Sequence, residues 1–328
     1  MKRMLWAVLL ILLAIAEVQA AETPSPALLV LNKEENTLAI VDPATRRVVG
    51  RVPTGEAPHE VAVSADGRLA FVANYGSQNA GNTISVIDLV AQKEVRRVDL
   101  SPMGRPHGIM FADGKVYFTA EASKLIGRYD PVSARVDWLL GTGQNTTHMI
   151  LLSHDTKTIF TANIGSDSIT VIEGGRSPVN WNETVIPVGK GPEGMDLSPD
   201  GRELWTAHSR DGGVSIIDVS TRKVTQTLDL ETKRSNRLKF TPNGRLVFIS
   251  DLAGGELVVV DAATRKEIKR MKLGRSPEGI LMAPGGSRAY VAVAGDNNVA
   301  VIDLKTLEVI GRISTGSGPD GTAWAERR

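Results

Sequence analysis

The chain of 328 residues contains no cysteine. That removes disulfides, thiolate metal ligands and thiol nucleophiles together, so a folded state must rest on its core. Aromatic residues are scarce, at 5% of the chain. Net charge is almost absent, with 38 Lys and Arg against 37 Asp and Glu, and the small excess disappears once Lys2, Arg3 and Glu17 of the first twenty residues are set aside. A neutral chain lacks the basic excess of a non-specific nucleic-acid binder, and no nucleic acid is expected as a partner. Long apolar runs are missing too, apart from Met4 to Ala16. That run is shorter than the roughly 20 residues of a spanning helix. Neither a nucleophile-elbow sequence nor Cys-x-x-Cys-His for covalent haem occurs. Gly212-Gly213 and Gly254-Gly255 fall between strands and open no helix, so they read as turns and not as phosphate cradles.

What is present begins with a leader. Lys2 and Arg3, the apolar stretch after them and the small residues of Val18-Gln19-Ala20 form the pattern of a signal peptide cleaved after Ala20. The expected organisation is a signal peptide over residues 1–20 and one domain over residues 21–328, periplasmic or secreted, with no membrane span after cleavage.

The domain is a repeat. An apolar strand ending in Val-Ile-Asp or a relative recurs seven times: Ile40-Val41-Asp42, Val86-Ile87-Asp88, Arg128-Tyr129-Asp130, Val171-Ile172-Glu173, Ile216-Ile217-Asp218, Val259-Val260-Asp261 and Val301-Ile302-Asp303. Aromatic-led strands such as Phe71-Val72-Ala73-Asn74 and Trp205-Thr206-Ala207-His208 precede it, and turns such as Ser198-Pro199-Asp200-Gly201 come before those. Four short antiparallel strands per unit make one propeller blade. The fold class is therefore all-β, a seven-bladed β-propeller. Leu28 to Asn32 matches the second strand of the unit and Gly321 to Trp324 the first, so the C-terminal strand should close the first blade.

On these landmarks, Phe71-Val72-Ala73-Asn74, Ser198-Pro199-Asp200-Gly201 and Val301-Ile302-Asp303, the chain resembles the YVTN-type (YncE-like) β-propeller repeat proteins over nearly its whole length. The resemblance implies the fold and leaves the activity open. Similar proteins include ligand- and protein-binding propellers, lactonases, a streptogramin lyase, a haem d1 domain and subunits of quinoprotein dehydrogenases.

Function in a propeller gathers where loops from all blades meet. Counting back seven residues from each turn Asp or its equivalent gives His59, His148, Glu193, Asn236 and Glu278; His107 joins with one deletion and Asp320 takes the last copy. Three of the five histidines and three carboxylates thus share one ring. Imidazole nitrogens with carboxylate oxygens suit a divalent zinc, copper, iron or manganese ion, so His59, His107, His148, Glu193, Glu278 and Asp320 are the candidate metal ligands. The same positions would also be polar if they merely faced a wet channel mouth, or if His and Glu served as acid and base without metal. Asn236, Arg237, Arg105, Arg275 and His208 are candidate ligand-binding residues at the mouth. His208 lies in a parallel register with Asn32, Asn74, Glu121, Asn163 and Asp251. The functional expectation is an exported propeller binding a metal or small polar ligand, with metal-assisted chemistry in view. The alternatives are a non-catalytic platform for a protein partner and an accessory subunit of a quinone- or haem-dependent oxidation system.

Overall fold

The computed structural model describes residues 22–174 and 180–328. The expected leader over residues 1–20 lies outside the described residues, as do residues 175–179 of the irregular segment between Glu173 and Thr184. Seven four-stranded antiparallel sheets form a closed propeller, and short 3-10 turns at Glu121–Ser123, Ile164–Ser166 and Ala294–Asp296 are the only helical pieces among the described residues. None of these is long and apolar enough to cross a membrane.

Blade 1 combines Ala27–Asn32, Thr37–Asp42 and Arg47–Pro53 with the closing strand Pro319–Ala325, which pairs Leu28 with Trp324 and Leu29 with Ala323. The closure expected from the two ends of the repeat is therefore present. The innermost strands of blades 2 to 7 are Pro58–Val63, Pro106–Ala112, Thr147–Leu152, Pro192–Leu197, Ser235–Phe240 and Pro277–Met282, and neighbouring innermost strands touch around the axis.

The position of each strand in the blade explains its composition. Second strands such as Leu69–Asn74 are buried on both faces between neighbouring blades and so are almost wholly apolar. Outermost strands such as Lys93–Asp99 expose one face and alternate accordingly. Six of the seven outermost strands also carry a register slip opposite the end of the third strand, for example between Val86 and Ile87. A bulge there twists the exposed edge away from foreign strands.

The few aromatics are concentrated where they count. Phe71, Phe118, Phe160, Trp205, Phe248 and Tyr290 occupy one register on six second strands, and each is at most 1% exposed. Full burial of such a side chain is worth about 1.5–3 kcal/mol. The close fit is visible at Gly127, where a Cβ would stand 2.3 Å from the Phe118 ring.

The Asp of Val-Ile-Asp is a turn device. Asp42, Asp88, Asp261 and Asp303 each accept backbone N–H bonds of 2.8–2.9 Å from two or three residues onward. The turns then pass through left-handed residues such as Arg46, Arg222 and Arg265. In blade 4 the longer Glu173 replaces this Asp and instead pairs with Arg222 of blade 5.

Candidate functional site

Each ring residue is the second residue of an innermost strand, and in all seven blades the ladder slips register there, as between Pro58 and Glu60 or Pro192 and Met195. The bulge turns that side chain out of the interblade packing and toward the axis. Glycine follows in four blades because the innermost strands approach so closely. A Cβ at Gly321 would lie 2.2 Å from the His59 carbonyl oxygen, and one at Gly279 2.2 Å from that of Asp320.

The seven side chains converge on a cavity of about 200 Å³. Around the axis they run Asp320, His59, His107, His148, Glu193, Asn236 and Glu278. Most of the ring side chains are withdrawn from bulk solvent. Only His59 is half-buried; His107 and Asp320 are 2% exposed and Glu193 and Glu278 5%. Polar groups held this dry need partners, and their partners divide the ring into two halves.

On the histidine side the rings form a chain, with His59 and His107 centroids 5.1 Å apart and those of His107 and His148 3.7 Å apart. His59 Nδ1 donates to the Ala57 carbonyl at 2.9 Å. His148 Nδ1 donates to Glu121, which also accepts the Tyr75 hydroxyl at 2.7 Å. A carboxylate can only accept, so a proton of His148 sits on Nδ1, while its Nε2 stands 3.9 Å from Glu193. That Nε2 is buried without a hydrogen-bond partner, as is Nδ1 of His107. One ligating atom each from His107, Glu121 and His148 lies within 4.8 Å of the other two. Burial holds the His59 imidazole below its usual range and His107 well below it, the latter reinforced by the neighbouring histidines. Burial opposes charge on Glu121 as well, yet the His148 and Tyr75 hydrogen bonds keep its carboxyl low. Tyr75 is pushed up by burial and by Glu121.

The other half is ionic. Lys33 Nζ stands 2.5 Å from Glu278 and 3.6 Å from Asp320. One buried ammonium neutralises one of two adjacent carboxyls, and the second keeps a proton. Burial and the Asp320 charge push Glu278 up to about 8, while Lys33, His59 and Arg237 hold Asp320 low against its burial. Asn236 donates to Glu193 at 2.7 Å. Beneath the ring Arg237 lies across the channel on Glu60, with Nε at 3.0 Å, and Nη1 reaches Asn236 Oδ1 at 3.2 Å. Arg237 lines both the ring cavity and a chamber of about 350 Å³ below it, so the pair forms a floor between them.

The six-ligand set read from the sequence therefore divides. His107 and His148 come together with Glu121, which sequence reasoning had left in the parallel register. No metal-type group among the described residues includes His59, Glu193, Glu278 or Asp320; Glu278 and Asp320 are held by Lys33, and Glu193 by Asn236. Of the other candidates, Arg237 forms the floor and Arg105 stacks on Tyr75 at 4.7 Å at the rim. Arg275 does not reach the ring: its side chain is 80% exposed and paired with Asp296 at 2.8 Å. His208 is not at the mouth either. It is fully buried and bonded to Asp211 at 2.9 Å, where it clamps blade loops as Asn74 does through Gly55 and Ser85.

Lys33, Tyr75, Glu60 and Glu121 were missed. A signal existed for the first two, since each directly follows the buried Asn32 or Asn74; Leu252, which follows Asp251, also lines the cavity.

Comparison with known proteins supports the fold throughout. No curated protein matches the chain significantly. The hydrazine synthase of Kuenenia stuttgartiensis superposes with a TM-score of 0.75 at 19% identity, covering 88% of this chain and 98% of that one. The periplasmic gluconolactonase of Pseudomonas aeruginosa gives 0.75 at 17%, covering 93% and 100%. The dihydro-haem d1 dehydrogenase NirN gives 0.66 at 15%, covering 90% and 74%. At such identities the likeness is one of fold. The cytochrome D1 haem domain matches residues 141–285, which is less than half of the chain. The YNCE-like beta-propeller family matches residues 3–184, more than half and including all three ring histidines, and the chain belongs to that family.

Proposed function

We propose that this is an exported propeller that binds a divalent transition metal ion, zinc, copper, iron or manganese, at His107, Glu121 and His148 and presents it to a small polar ligand in the ring cavity. The observation that carries the reading is the pair of buried, unpartnered imidazole nitrogens, His107 Nδ1 and His148 Nε2, beside a carboxylate. Such atoms cost free energy unless something in the cavity satisfies them. Ligands of a tetrahedral ion stand about 3.4 Å apart against a spread of up to 4.8 Å here, and for Glu121 to join His148 Nε2 on the ion its carboxylate must leave His148 Nδ1. Three protein ligands leave a coordination position for a substrate, the arrangement of catalytic and not structural sites. Neutral histidine is the form a metal requires, and the lowered protonation of His107 favours it.

A haem, which the second family match brings into view, does not fit the ring. About 200 Å³ walled by ion-paired side chains suits a small ligand, below the roughly 300–1,000 Å³ of drug-sized pockets. The haem-domain match also includes only His148 of the three histidines. The reading as an accessory subunit of an oxidation system draws on that match and on the likeness to hydrazine synthase; a visible chromophore in the purified protein would favour it. A periplasmic location fits the leader pattern and the periplasmic gluconolactonase among the similar folds.

The test is elemental analysis of untagged protein purified without chelators. Near-stoichiometric metal should survive in His59→Ala and be lost in His107→Ala and His148→Ala. Equal, negligible metal in all four proteins would sink the reading and favour a metal-free surface for a protein partner.

A further inference from the structure

The wall of the cavity facing the trio has its own chemistry. In a seven-membered ring the farthest position is three steps away, and Glu278 is three steps from both His107 and His148. Glu278, Asp320 and Lys33 line the same cavity as the two histidines. Lys33 arrives from the loop after Ala27–Asn32, Asp320 from the closing strand and Glu278 from blade 7. Asp320 Oδ1 is buried and has no donor unless Glu278 carries a proton.

We propose that Glu278 and Asp320, bridged by Lys33, form the proton-donating wall of the site, and that the cavity takes a small oxyanion, a carboxylate being the simplest, between this wall and the trio. The inference rests on the metal reading for the far end of the ligand. When the ligand enters, the Glu278 O–H turns from Asp320 Oδ1 to the ligand oxygen, which also accepts a Lys33 N–H. In a transfer step the Glu278 O–H bond breaks, the proton passes to the ligand oxygen, and Lys33 stabilises the carboxylate left behind until solvent returns a proton. Two carboxyls forced together share a proton for this reason: both cannot ionise in a dry site with one ammonium.

The groups facing Glu278 are Lys33, Asp320, Asn236 and Arg237, with His59 beyond Asp320. Lys33 and Arg237 stay charged across the neutral range, and His59 is held below it, so between pH 7 and 9.5 Glu278 is the member of this wall that changes.

Acetate is the probe, measured by calorimetry on zinc-loaded and metal-free protein from pH 6.5 to 9.5. The wild type should bind acetate with a dissociation constant that rises about tenfold per pH unit above Glu278's value of about 8, as the proton needed for binding is lost. Glu278→Gln, which cannot ionise, should lack that step. If that variant does not fold, Lys33→Met replaces it and should move the step to higher pH, since the ammonium favours the ionised carboxyl. Superimposable pH profiles for wild type and variant, or no acetate binding at any pH, would overturn the proposal. A Glu278-dependent step in protein that never takes up zinc would support the wall and defeat the metal reading; zinc bound with acetate indifferent to Glu278 would do the reverse.

Discussion

Replacing Arg237 with methionine tests what holds the channel together. The guanidinium is 5% exposed and spends its donors on Glu60 and Asn236, with Glu193 4.0 Å away. Methionine keeps much of the volume but strands the Glu60 carboxylate, whose side chain is only 14% exposed. Removing one partner of a buried pair typically costs about 3–5 kcal/mol, far more than the pair contributes over an apolar substitute. The expected loss for Arg237→Met is therefore about 3–4 kcal/mol, toward the lower end because Glu60 retains some solvent. Glu60→Gln in the same background should recover about 2 kcal/mol, since it removes the stranded charge. Equilibrium urea unfolding at pH 7.5, with the slope checked for constancy, reads both values. A loss below about 1 kcal/mol, or a double variant no more stable than Arg237→Met, would refute the account of the floor as a buried ion pair.

Three further outcomes follow from packing and burial. Burial lowers the protonation of His208, so the unfolded chain binds its proton first as pH falls; stability is intact above about 6.5 and declines below it. His208→Asn, which borrows the residue of the same register at Asn74 and Asn163, should lose less stability than the wild type between pH 7.5 and 5 in urea midpoints. Gly321→Ala forces a Cβ to within 2.2 Å of the His59 carbonyl and should cost about 1–3 kcal/mol by overpacking, measured the same way. Deleting residues 319–328 leaves Ala27–Asn32 without its inner neighbour and should abolish the cooperative transition, with self-association seen by gel filtration.

How far the site was legible depended on the repeat. Because every blade reuses one register, a seven-residue count puts His59, His148, Glu193, Asn236 and Glu278 at one level of the channel, with His107 joining through one deletion and Asp320 as the last copy. Their chemistry was less legible, because a repeat gives the height and blade of a residue and not its cross-channel partner. Glu60 and Arg237 are 177 residues apart, and Lys33 meets Glu278 across 245. Glu121 stands in the register of Asn32, Asn74, Asn163, His208 and Asp251, one strand away from the ring. Its carboxylate instead reaches His148 on the next blade, and Tyr75 and Lys33 reach the cavity from the adjoining loop. His208 and Arg275 failed in opposite ways. The imidazole is buried against Asp211 of its own blade, and the guanidinium turns outward to Asp296.

The stitched first blade also sets an order of events. Lys33 comes from the loop after Ala27–Asn32 and Asp320 from the closing strand Pro319–Ala325, and both must be in place before Glu278 has its partners. A chain without the closing strand keeps all four strands of blades 2 to 7, but it holds only part of the cavity. Completion of the cavity is thereby tied to completion of the ring, and a molecule clipped before Pro319 loses a wall of the cavity together with the closure of its first sheet.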